Sequence, residues 1–146
     1  MEINKSVLIL GGEGYIGTTV RDYFLKRNFK VTSVDKLIYK QIYNTVKRNK
    51  KNYNFINTNF DNNKILKIIT SKNVDSIIIL GSIVGDPITK KYPKESKEIN
   101  YFALKKFIKA CNEKNLNKVI FVSTCSNYGF IKKNCKANEN YRLNPL

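Results

Sequence analysis

The chain has 146 residues, 27 Lys and Arg against 11 Asp and Glu for a formal net charge of +16, and a hydrophobic fraction of 42%. That length suits one domain with a core able to fold unaided and leaves no room for a two-domain enzyme. No window approaches the ~18 uninterrupted apolar residues of a membrane span, and the first residues lack a signal peptide's basic then apolar design, so a soluble cytoplasmic protein with no membrane partner is expected. Cys111, Cys125 and Cys135 make an odd count with no C-x-x-C pair, and there is no His. A disulfide framework and a Cys/His zinc site are therefore unsupported, and no metal is expected. The charge invites a nucleic-acid partner. However, the basic residues are 23 Lys and only 4 Arg, whereas phosphate forks and guanine edges are read chiefly by Arg. Lys, Asn, Ile and Tyr supply nearly half the chain and share A/T-rich codons, so low-GC coding bias accounts for most of the charge.

In chain order, short β-branched runs alternate with helical patterns, as in a parallel sheet with crossover helices. The first strand is 6–10 (SVLIL), followed by a glycine loop over 11–17 and an amphipathic helix presenting Ile16, Val20, Phe24 and Leu25. A second strand, 30–34, ends at Asp35. Residues 36–52 hold Lys36, Lys40, Lys47, Arg48, Lys50 and Lys51 with no acid and little periodicity, and read as a loop. Strand three is 53–57. A helix over 61–71 follows, with Asp61 on its N-cap side. Strand four, 75–80, carries the unbroken apolar run Ile77 to Leu80 of a strand covered on both faces. Residues 81–94, with Pro87 and Pro93, read as a loop of functional length. The longest helix is expected over 95–115, burying Ile99, Phe102, Ala103, Phe107, Ile108, Ala110 and Cys111, and strand five over 118–123, with loop from Thr124 onward.

The strongest motif is G-x-x-G-x-x-G at Gly11, Gly14 and Gly17. Glycines there allow a tight turn and close backbone approach to a pyrophosphate, which the next helix meets with its N–H groups and positive dipole end. A strand precedes the motif, a helix follows it, and Asp35 ends the second strand 18 residues beyond Gly17. Asp35 can accept both ribose hydroxyls and repels a 2′-phosphate, which favours NAD over NADP. The same acid could instead serve only the strand-end turn.

These glycines with Tyr15 and Ile16 between them, together with 80–88 (LGSIVGDPI), 98–111 (EINYFALKKFIKAC) and 121–130 (FVSTCSNYGF), resemble the extended short-chain dehydrogenase/reductases, the NAD-dependent nucleotide-sugar epimerases and dehydratases. The similarity runs in order through essentially the whole chain. It implies an α/β, Rossmann-like, doubly wound parallel sheet of about five strands in order 3-2-1-4-5, incomplete at its C-terminal end. It places the backbone of Tyr15 and Ile16 on the pyrophosphate, Asp35 on the adenosine ribose and Asn59-Phe60 at the adenine edge. Leu80, Gly81 and Ser82 would pass under the nicotinamide ribose, and Asn100 would reach toward the cofactor. The chain departs from the family at Asn59, where Asp is usual, at Leu10, where Thr is common, and at Ile79 and Gly81.

Thr124 falls where the family keeps a catalytic Ser or Thr that hydrogen-bonds the sugar oxygen gaining or losing a hydride. A strand-end hydroxyl satisfying local backbone is the plainer reading. Cys125 beside it has no His to activate it and reads as a space-filler. The family's Tyr-x-x-x-Lys acid-base pair is matched only by Tyr43/Lys47, Tyr101/Lys105 and Tyr128/Lys132, none of them well placed, and the family's own pair lies beyond the segment resembling 141–146. The expectation is one partial NAD-binding domain over 1–146, without a substrate domain, that binds NAD without turnover. The corresponding full-length enzyme would act on a nucleotide-sugar and form a homodimer. The alternatives are a basic Rossmann-like module for nucleic acid or another acidic partner, and a non-catalytic subunit.

Overall fold

The computed structural model describes residues 5–38, 51–70, 74–113, 116, 118 and 120–145 together with Val119. Among them five strands, β1 (Ser6–Leu10), β2 (Lys30–Asp35), β3 (Tyr53–Asn57), β4 (Ser76–Ile79) and β5 (Val119–Phe121), form one sheet in the order β3-β2-β1-β4-β5. Every neighbouring pair is parallel, in the register Leu8 to Thr32 and Ile77, Ile9 to Ser33 and Ile78, and Ile77 to Val119. This is the expected doubly wound α/β order. From β1 the chain winds outward to β3, then crosses back to β4 on the other side of β1. The reversal leaves a crevice at the C-terminal ends of β1 and β4, where open α/β sheets bind ligands.

The alternation of side chains along a strand divides the core in two. Leu8 and Leu10 point to one face and pack with Val34, Ile77, Ile79, Ile65, Ile69 and Phe107. Val7 and Ile9 point to the other, with Val31 and Ile78, beneath Val20, Phe24 and Leu25 of α1 (Tyr15–Lys26). On the first face α2 (Asn63–Thr70) supplies Ile65 and Ile69. Its start is fixed by Asn62, whose side-chain oxygen accepts the Lys64 N–H at 2.9 Å. Asn62, not Asp61, thus does the capping.

The expected loop over 81–94 contains more order than its prolines suggest. It holds α3 (Asp86–Lys91) and the start of α4 (Pro93–Lys97), with Pro87 and Pro93 in their first turns. Proline has no N–H to lose there and its φ already suits a helix. The expected long helix is likewise broken into α4, a π-helical turn over Glu98–Ala103, and α5 (Leu104–Asn112). The wider i→i+5 turn changes the helical phase. Ala103, Phe107 and Cys111 remain buried as expected, but Phe102 is rotated to the surface and is 47% exposed. The thiol of Cys111 is pushed up to about 11 by burial, a packing group and no nucleophile. Beyond β5, where loop was expected, a 3-10 turn spans Cys125–Tyr128. The apolar side chains of Val119, Ile120, Phe121 and Val122 are all exposed. Most of the basic segment, 39–50, lies outside the described residues, and with it Tyr43 and Lys47.

Candidate functional site

The crevice is built first by backbone. Gly11 sits at φ +79°, a conformation that side-chain-bearing residues rarely adopt, and a Cβ there would lie 2.6 Å from the Gly81 backbone. The loop after β1 is thereby held against the end of β4, and its N–H donates to the Val34 carbonyl at 2.7 Å while the Leu80 N–H donates to Leu10 at 2.9 Å. Gly17 is needed for packing: an added Cβ would collide with the Gly11 carbonyl oxygen and sit 2.7 Å from Gly12 Cα. Gly14 is different. Its φ of −76° suits any residue, and the nearest atom to a Cβ would be the Gly11 oxygen at 3.4 Å. The loop therefore opens outward at Gly14, immediately before the first turn of α1, where the exposed Tyr15 and Ile16 stand. The Thr18 N–H begins the helical ladder by donating to the Gly14 carbonyl at 3.0 Å. Small residues, a helix N-terminus and an open approach are what a pyrophosphate requires.

Asp35 closes one side. Its Oδ2 accepts the Glu13 N–H at 3.1 Å and its Oδ1 accepts the Leu37 N–H at 2.8 Å. The second bond stabilises a turn in which Leu37 has φ +56°, an uncommon value for a non-glycine residue. Each carboxylate oxygen has a further lone pair, so the turn role and a ribose role are compatible.

Next to Asp35, at the ends of β2 and β3, lies a cleft of about 480 Å³ lined by Lys36, Asn57, Thr58, Asn59, Asp61, Asn62, Asn63 and Lys106. Asn59 faces this cleft, as the adenine edge would need. The Phe60 side chain does not: it is buried in the core, edge-on to Phe107 at 6.2 Å between ring centroids. Phe60 is not among the residues that line the cleft. Lys36 and Lys106 flank the same space from distant positions in the chain, a pairing that no local motif reveals.

On the opposite side of the crevice, Leu80, Gly81 and Ser82 form the exit of β4. Asn100, in the π-helical turn, anchors them. Its Oδ1 accepts both the Ser82 Oγ and the Ile83 N–H at 2.8 Å, and its Nδ2 donates to the Ile83 carbonyl at 2.8 Å. Its side chain is spent on shaping this loop. Thr124 is exposed at the end of the β5 segment, and its Oγ1 accepts the Ser126 N–H at 3.2 Å, capping the 3-10 turn. Of the Tyr-x-x-x-Lys matches, Tyr101 and Lys105 do meet, Lys105 Nζ lying 5.6 Å from the Tyr101 ring centroid, but on an exposed helix face. Tyr128 packs edge-on against Tyr141, 6.1 Å between centroids.

Sequence reasoning passed over one cluster at the loop itself. Glu13 Oε1 accepts the Ser33 Oγ at 2.7 Å and the Tyr53 hydroxyl at 2.6 Å, and its Oε2 is paired with the fully buried Arg21. Burial opposes the Arg21 charge, but the hydrogen bonds and charges of Glu13 and Asp22 outweigh it and raise its pKa. The Tyr53 phenol is pushed up to about 12 by burial and then by its bond to Glu13. The available signal was a charged residue four positions after Gly17 on the same face of α1, together with a serine between Val31 and Val34 of β2. Among the described residues no group of three His, Cys, Asp or Glu could hold a metal, and no helix is long and apolar enough to cross a membrane.

Comparison with known proteins agrees with this geometry. Residues 7–146 match the model of the NAD dependent epimerase/dehydratase family. An uncharacterized UDP-glucose epimerase, YtcB, of Bacillus subtilis is 28% identical over 96% of this chain and 46% of its own length. The dTDP-D-glucose 4,6-dehydratase of Dictyostelium discoideum is 29% identical over 86% of this chain and 30% of its own. Among solved structures, the UDP-N-acetylglucosamine 4-epimerase from Methanobrevibacter ruminantium superposes with a TM-score of 0.85 at 28% identity, over 97% of this chain and 44% of that one. The chain thus spans less than half the length of these relatives.

Proposed function

The chain belongs to the NAD-dependent epimerase/dehydratase family, and from that premise we propose that it is the dinucleotide-binding portion of a nucleotide-sugar epimerase or dehydratase, selective for NAD over NADP. The observation that carries the reading is the outward-opening Gly14 at the start of α1, set beside an Asp35 whose carboxylate is already oriented by two backbone amides.

Gly11, Gly14 and Gly17 with the backbone of Tyr15 and Ile16 hold the pyrophosphate, and Asp35 accepts the adenosine ribose hydroxyls. Asn59 and the Phe60 backbone border the adenine. Leu80, Gly81 and Ser82, fixed by Asn100, form the floor of the nicotinamide ribose. The bound NAD supplies hydride acceptance and return at the sugar carbon. Thr124 presents its hydroxyl to the sugar oxygen. Of the described Tyr-x-x-x-Lys pairs, neither Tyr101/Lys105 on its exposed helix face nor Tyr128/Lys132, with Tyr128 packed on Tyr141, is placed to take the proton of that oxygen, so this chain by itself binds cofactor without turnover. A 2′-phosphate on the ribose would face the Asp35 charge, the reason for preferring NAD. The longer relatives' substrates in their names are UDP- and dTDP-sugars, and a sugar nucleotide of that class is the substrate of the complete enzyme, a cytoplasmic homodimer.

Isothermal titration of the purified chain with NAD, NADH and NADP tests this directly. Binding of NAD and NADH, weaker binding of NADP and no sugar interconversion are expected. A folded sample that binds neither NAD nor NADH at millimolar concentration would sink the cofactor reading, and robust epimerase turnover would sink the claim of binding alone.

A further inference from the structure

The turn after β1 reads Gly11, Gly12, Glu13, Gly14, so it carries a single side chain. That side chain points inward: it is 10% exposed. It meets one partner from each of three elements, Arg21 of α1, Ser33 of β2 and Tyr53 of β3. The backbone of the same residue is tied as well, its N–H donating to Asp35 at 3.1 Å. Gly12 rests directly on Ser33, where a Cβ would come 3.0 Å from the Ser33 Cβ. The cluster is well satisfied, for the Arg21 Nε also donates to Asp22 at 3.0 Å and its guanidinium stands 5.6 Å from the Tyr53 ring centroid.

Stability alone is a poor reason for such a cluster. A buried ion pair is often no better, in free energy, than apolar residues of the same volume, because both charges must leave water. What hydrogen-bonded charges supply and apolar contacts do not is a unique geometry. From these contacts we infer that Glu13, clamped by Arg21, Ser33 and Tyr53, is a positioning residue: it locks the glycine loop to the sheet and aims the Asp35 carboxylate at the ribose. This rests on the dinucleotide reading for its ligand, but the locking itself is a property of the free protein. Because Arg21 neutralises Glu13 beneath the loop, the charge presented to the ribose is that of Asp35.

The test compares the parent chain with the Ser33→Ala/Tyr53→Phe double variant, which removes both hydroxyl donors to Oε1 and leaves the ion pair, and with Glu13→Gln/Arg21→Met, which removes the charges together. Amide hydrogen exchange of Glu13 and Gly14 in the free protein and affinities for NAD, ADP-ribose and NADP are measured beside the melting temperature. Misplaced supporting contacts of this kind cost about tenfold or more. Exchange of the position-13 amide is expected to speed by about that factor in both variants. NAD and ADP-ribose affinities are expected to fall by a similar factor, with NADP affected less, so that the preference for NAD narrows. Variants that melt lower yet keep the parent's exchange rates and cofactor preference would assign the cluster a structural role only and overturn the inference. If the parent binds no dinucleotide, the cofactor reading fails, and the exchange rates still decide whether Glu13 locks the loop.

Discussion

Replacing Gly17 and Gly14 by alanine, one at a time, separates what the glycine motif does for the fold from what it does for the ligand. At Gly17 the new methyl would collide with the Gly11 carbonyl and with the Gly12 backbone 2.7 and 2.8 Å away. Backbone atoms cannot rotate aside, so the loop must rebuild. Overpacking of this severity costs about 3 kcal/mol, and for a chain of this size that lowers the melting temperature by roughly 6 to 12 °C. At Gly14 the φ of −76° is ordinary and the nearest neighbour is 3.4 Å away, so Gly14→Ala costs about 0.5 to 1 kcal/mol, the usual penalty for alanine in place of glycine at a helix N-cap. Its methyl does enter the space proposed for the pyrophosphate, and NAD affinity is expected to fall at least about tenfold. Urea and thermal unfolding with NAD titration on both variants measure the pair. A Gly17→Ala protein as stable as its parent, or a Gly14→Ala protein that binds NAD unchanged, would refute this division of labour.

Asn100→Ala removes three hydrogen bonds and strands the Ile83 backbone amide, so urea unfolding should show a loss of about 2 kcal/mol; a loss under about 0.5 kcal/mol would mean the loop after β4 is held by other contacts. Tyr53 keeps its proton in the folded chain to about pH 12, whereas in the unfolded chain it is lost near pH 10. Its contribution is thus complete below about pH 10 and disappears as pH rises through about 12, a change of about 1 kcal/mol after allowance for solvent at a half-exposed site. Unfolding of the parent should therefore weaken more between these pH values than that of Tyr53→Phe, and parallel profiles would contradict the buried bond to Glu13. Phe107→Ala empties the centre of the core beneath Phe60 and should cost about 3 to 5 kcal/mol; a melting temperature within a degree or two of the parent would place Phe107 elsewhere.

The sheet was legible because burial on both faces leaves a simple trace. Leu8 and Leu10 serve one half of the core while Val7 and Ile9 serve the other, so these strand positions must all be apolar, and the like run in β4, with a glycine loop after β1, marks the centre of the sheet. Phe102 shows where that logic stops. A π-helical turn needs no special residue, and its insertion turned an apolar position from the core to solvent without altering the pattern that predicts burial. Pro87 and Pro93 are ambiguous for a different reason, since proline both ends one helix and begins another. At the site, Gly11, Gly14, Gly17 and Asp35 were readable from spacing because their work is done by backbone and by position at a strand end. Glu13, Lys36 and Lys106 were not, for their roles depend on which way a side chain points and on partners tens of residues away. Asn100 was readable as important, but its three bonds to Ser82 and Ile83 are visible only once the turn that carries it is known.

The place of β1 at the centre of the sheet also sets a schedule for folding. Its partner β2 follows within a few dozen residues, but the other edge is completed only by β4, and the bonds that join Ser6 to Asp75 span 69 residues. At about 5 to 20 residues per second of synthesis, this strand, apolar from Val7 to Leu10, waits on the order of 3 to 14 s with one row of amides and carbonyls unpaired. A strand in that condition is a template for pairing with other chains. β1 is therefore made first yet closed along its second edge only once β4 has emerged, and the yield of folded protein should depend on how well α1 and β2 shield it in the interval.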